Sequence, residues 1–85
     1  MLQPDVVRTS DGLLLMTYGE AIRAYDAALR QARAALEAGK LDETRACLQA
    51  ASDVHGLLQR QGFYVQPELF ERLQVLQFAA ARGFL

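Results

Sequence analysis

Large apolar side chains recur at every seventh position at Leu15, Ile22, Leu29 and Leu36. A second line runs beside them in steps of three and four: Tyr18, Ala21, Tyr25, Ala28, Ala32 and Ala35. The two lines make one broad apolar stripe, and the opposite face carries Glu20, Arg23, Asp26, Arg30, Arg33 and Glu37. That is the pattern of an amphipathic helix. Ser10 is a suitable N-cap with Asp11 behind it, and Gly39 is a suitable stop, so the first helix is expected over about 10–38. Gly19 inside it costs about 1 kcal/mol relative to alanine, and close approach of another backbone is the expected reason for it. The line Ala21, Ala28 and Ala35 invites a neighbouring helix to pack tightly.

The pattern resumes after a short turn. With Asp42 as N-cap, a second helix is expected over about 42–60, its stripe being Cys47, Leu48, Ala51, Val54, His55 and Leu58. The short connection makes an antiparallel hairpin of the two. Gly56 weakens the end of this helix. Gln61–Gln66 breaks the period, yet Phe63, Tyr64 and Val65 are too apolar for a bare linker and are expected to fold over the open end of the core. Pro67 opens a third helix over about 67–82, with a stripe of Leu69, Leu73, Leu76 and Ala80 and Phe70 and Phe78 on its flanks. Residues 1–9 show no period and read as an extended arm. The fold expected is all-α: one antiparallel three-helix bundle over 10–85, completed by self-association.

Length gives the reason for that last clause. Eighty-five residues bury only about 60% of their unfolded surface, while 52% of the chain is hydrophobic. Some apolar surface is therefore expected to remain for a partner or a second copy. A balance of 9 basic against 10 acidic residues gives no electrostatic case for nucleic acid or an anionic membrane. The longest apolar run, Leu13–Met16, is far short of the roughly 20 residues that cross a bilayer. Cys47 is the one cysteine, which fits a reducing compartment, and no leader pattern opens the chain. A cytoplasmic location is the expectation.

Catalytic groups are scarce. His55 is the single histidine, and its stripe position reads as a half-buried structural residue. Cys47 and His55 lie two turns apart on one helix and cannot meet. Tyr18 and Tyr25 read as core residues with exposed hydroxyls, and Gly39-Lys40 lacks the glycines of a phosphate loop. No enzyme, metal site or cofactor is expected. Interaction remains: the candidate residues for a client-binding or oligomer surface are Leu57, Leu58, Phe70, Leu73, Val75, Leu76 and Phe78, any of which could equally be core.

Ser10 to Ile22, S-D-G-L-L-L-M-T-Y-G-E-A-I, resembles the opening of the flagellar secretion chaperones, the FliS family. Ala35–Thr44 is similar to that family's first turn. Ala51, Asp53, Val54 and Leu58 match its second helix, and Glu68, Leu69, Glu71, Leu73 and Leu76 its third. The chain departs from it at Gly19-Glu20, at His55 and around Phe78, and the family continues into at least one more long helix. The resemblance implies a cytosolic chaperone that holds the disordered C-terminal end of flagellin on apolar helix faces. Two other readings stay open: a structural homo-oligomer in which the alanine line of the first helix packs on its copy, and a tetratricopeptide-like hairpin, against which stands the lack of a second copy of the motif.

Overall fold

A computed structural model describes residues 6–8 and 15–83. Three helices, α1 (Tyr18–Glu37), α2 (Leu41–Arg60) and α3 (Pro67–Arg82), pack against one another. They run up, down and up: Asp26 of α1 meets Arg72 of α3, while His55 of α2 meets Phe70. The all-α bundle expected from the sequence is present.

Helix α1 starts at Tyr18 rather than near Ser10, and Ser10 itself lies outside the described residues. Leu15–Thr17 is instead a strand, β2, paired antiparallel with β1 (Val6–Arg8) in the register Val6–Thr17, Val7–Met16 and Arg8–Leu15. The physical reason is a capping box. The Thr17 hydroxyl accepts from the Glu20 backbone N–H at 3.1 Å, and the Glu20 carboxylate accepts from the Thr17 N–H at 2.8 Å. Two of the orphan donors of the first turn are thereby satisfied, and the Thr17 backbone N–H is the main reason the Glu20 carboxyl lies below its ordinary pKa. Val7 on β1 is fully buried in the core, so Val6–Arg8 joins the bundle as the strand partner of β2.

Helix α1 buries the alanine line together with Leu29 and Leu36 of the seventh-residue line. Ala21, Tyr25, Leu29 and Ala32 are fully enclosed, and Ile22 stays half-exposed. Small side chains let backbones approach, and α1 and α2 form the most extensively packed pair of helices. The turn between them is a Schellman motif: Lys40 N–H donates to the Ala35 carbonyl and Gly39 N–H to the Leu36 carbonyl, with Gly39 at φ +76°. Helix α2 begins one residue before the position expected for its cap. Lys40 is the N-cap, and Asp42 lies inside the first turn, where its negative charge suits the positive end of the helix dipole.

Helix α2 remains continuous through Gly56 to Arg60. It ends in a second Schellman motif, with Phe63 N–H bonded to the Leu58 carbonyl, Gly62 N–H to the Gln59 carbonyl, and Gly62 at φ +80°. Phe63 and Val65 pack on the core as expected, while Tyr64 is 68% exposed. Tyr18 secures this segment from α1: its ring stacks on Phe63 at 5.5 Å, and its hydroxyl donates to the Tyr64 carbonyl.

No close approach accounts for Gly19, in the first turn of α1, or for Gly56, inside α2. A Cβ at Gly19 would meet only ordinary contacts, and one at Gly56 would meet only the mobile tip of Arg60 at 3.2 Å. Gly56→Ala is therefore expected to stabilise the fold by about 1 kcal/mol. Gly62→Ala, forced into the left-handed region, is expected to cost about as much. Urea denaturation at constant m-value reads both, and the opposite signs are the check.

Candidate protein-binding surface

Leucines at Leu69, Leu73 and Leu76, with Ala79 and Ala80, turn one face of α3 into the core. The rest of this helix does not become uniformly polar. Phe70, Val75 and Phe78 remain 39%, 62% and 66% exposed, and with Tyr64 they are the large exposed apolar side chains of the described residues. Helices α1 and α2 turn charges outward instead: Arg23, Arg30, Arg33 and Glu37 on one, Glu43, Arg45 and Asp53 on the other.

The structure thus divides the candidate interface residues. Leu58, Leu73 and Leu76 are core residues, at 0%, 2% and 6% exposure. Their place is set by the helical stripe, which points at the α1–α2 hairpin. Leu57 is half-buried and packs on the core's edge, in a groove of about 620 Å³ with Met16, Val54 and Gly56 between the hairpin strand and α2. Phe70, Val75 and Phe78 are left exposed. Val75 also borders a groove of about 530 Å³ between α1 and α3, with Leu29 and Leu76 at its base and Arg33 and Glu71 on its rim.

Phe70 has a second role. Its ring stacks on His55 at 4.5 Å, and His55 in turn meets the Tyr25 ring edge-on at 5.8 Å. The Tyr25 hydroxyl and His55 Nδ1 are 3.0 Å apart. One aromatic column therefore crosses all three helices. His55 is the half-buried structural residue expected, but Tyr25 is fully buried and its hydroxyl is spent on His55 rather than on solvent. Burial pushes the Tyr25 phenol up to about 12, so it stays neutral and can donate to an unprotonated Nδ1. Across the α1–α3 side, Arg72 reaches Asp26 at 2.7 Å and Arg30 reaches it at 2.8 Å. The Arg72 hydrogen bond is the main reason the Asp26 carboxyl lies below its ordinary pKa.

Two features escaped the sequence reading, the buried Thr44 and the Thr17–Glu20 capping box. Thr44 is fully buried, its hydroxyl returned to the Lys40 carbonyl at 2.9 Å. Thr17 and Glu20 carry the T-x-x-E signature of a capping box, a signal present in the sequence and outweighed there by Ser10-Asp11. Cys47 is half-buried, with its sulfur 4.0 Å from the Gln31 side-chain oxygen. Among the described residues no three His, Cys, Asp or Glu side chains are grouped to hold a metal, and no helix is long and apolar enough to cross a membrane.

The chain matches no family model, and neither the curated proteins nor the solved structures contain a match to it.

Removal from water lowers the His55 pKa below its ordinary 6.5. The unfolded chain then takes up a proton first as the pH falls. Stability is full above about pH 6.5 and declines from there until the folded-state pKa is passed. The slope is expected to stay below about 1.4 kcal/mol per pH unit, the limit for one proton. Denaturation midpoints at a series of pH values check this, and His55→Gln should flatten the profile in that window alone.

Proposed function

We propose that this chain is a small cytoplasmic protein-binding module that shelters an amphipathic or disordered client segment, as the flagellar secretion chaperones it resembles do. The observation that carries this reading is the exposure of Phe70, Val75 and Phe78 on a single helix whose opposite face already completes the core. A surface helix of a freestanding bundle gains little from Val75 and Phe78 turned outward, whereas an amphipathic segment laid across them would bury their apolar area. The neighbouring α1–α3 groove offers the same segment an apolar base between charged rims. A net charge of −1 favours neither nucleic acid nor an anionic surface as the occupant. The mechanism needs no cofactor and no catalytic residue: burial of the client's apolar face against α3 keeps that face from other partners.

Titration calorimetry against the C-terminal segment of the flagellin of the same organism tests the reading. Binding with a negative heat-capacity change is expected, since apolar surface is buried. Val75→Asp and Phe78→Asp should each weaken it roughly tenfold or more, a loss of at least about 1.5 kcal/mol, with the helical circular dichroism unchanged. Leu73→Asp, by contrast, should unfold the chain, because that side chain is 2% exposed. A folded protein that ignores the segment would remove flagellin as the client.

A further inference from the structure

The core stripe of α3, Leu69–Leu73–Leu76–Ala80, has the spacing four, three, four. Two residues further on, the same spacing recurs as Glu71–Val75–Phe78–Arg82, which by helical geometry falls on the opposite, outward face. All four of these residues are exposed. Their order is acidic, apolar, apolar, basic, the seam of a coiled coil with its ends oppositely charged.

Such a seam is complementary to itself when reversed. Place a two-fold axis across the helix between Leu76 and Gln77. Val75 then faces Phe78 of the second copy, and Glu71, at the same distance from the axis as Arg82, faces Arg82 of the second copy. A parallel arrangement would instead set Glu71 against Glu71 and Arg82 against Arg82. The flanking positions Gln74 and Ala81 carry no charge to oppose close approach. Within the chain, the Arg82 guanidinium lies over the Phe78 ring at 5.0 Å, so the two side chains share this face. Reversed pairing also sets the two helix dipoles head to tail.

We infer that α3 pairs antiparallel with α3 of a second copy through Val75 and Phe78, in a register set by the Glu71–Arg82 pairs. The inference stands independently of any client. It also replaces the homo-oligomer expected through the α1 alanine line. Ala21 and Ala32 are fully buried, and Ala28 and Ala35 are 9% and 8% exposed, so α1 has no such face to offer. An interface of one helix per copy lies at the small end for specific association. The dimer is therefore a concentration-dependent species.

Sedimentation equilibrium of the purified chain at low salt, with no client present, is the experiment. A monomer–dimer equilibrium is expected, shifted at least tenfold toward monomer by Phe78→Asp. Glu71→Arg places arginine against arginine at both ends, and Arg82→Glu places carboxylate against carboxylate, so each variant alone should stay monomeric. Mixed in equal amounts, the two should associate as a heterodimer, because each end then joins opposite charges. A wild-type chain that is monomeric at every concentration overturns the inference and leaves the face to a client. A dimer indifferent to Phe78→Asp, or a mixture no more associated than its two components, overturns it as well. Circular dichroism of each variant separates lost pairing from lost folding.

Discussion

Close packing of α1 on α2 is the constraint from which the rest of the bundle follows. It depends on small residues, Ala21, Ala28, Ala32 and Ala35 on α1 and Ala51 on α2. An alanine contributes little transfer free energy by itself, roughly one methyl group each. Its value lies in letting the larger neighbours interlock, so that Leu29, Leu36, Leu48 and Leu58 all reach a common interior. The two Schellman turns serve the same end. Each closes a helix with glycine in the left-handed region and returns the chain at once, which holds three helices in register over a short sequence.

A hairpin with so narrow a seam leaves a shallow trough for the third helix. Leucine side chains from α3 fill it along most of its length, and at the His55 level the filling changes character. There the aromatic column Tyr25–His55–Phe70 spans all three helices, its one polar contact satisfied internally. A hydrogen-bonded histidine in this place is more demanding than a leucine would be, since its charged form is disfavoured by burial. It also gives α3 an angular preference that plain leucine packing lacks. The ion pair of Arg72 with Asp26 adds to that on the other side, at the modest worth of a part-exposed pair.

The helical period made the bundle legible because alternating burial is imposed directly on the side chains. Leu48, Ala51 and Leu58 on α2, and Leu69, Leu73, Leu76 and Ala80 on α3, lie buried where the stripe puts them. The start of α1 was not legible by that means. The run Leu13–Met16 is equally apolar as strand or as helix, and periodicity over so few residues cannot separate the two. Pairing with Val6–Arg8 and the Thr17–Glu20 box decide it, the first non-local and the second a local signal in competition with another. For the candidate surface the limit was different. A list of apolar positions on α2 and α3 cannot say which face meets α1, so Leu73 and Val75, two residues apart, came out alike. Packing separates them, at 2% and 62% exposure.

That separation bears on how a client and a second copy would share one helix. Both would bury Val75 and Phe78, so they would exclude each other, and the client's apparent affinity would fall by the fraction of chains held in pairs. With an interface this small, that fraction is low when the protein is dilute and rises as it accumulates. Self-pairing would then cover an aggregation-prone face whenever client is scarce, and give it up at little cost when client is present. The charged ends of the stripe suit such an arrangement. Glu71 and Arg82 would specify a reversed copy without adding apolar area, so the pairing would gain orientation more than strength. The apolar centre, which would carry most of the energy, would stay open to any segment that presents a complementary face.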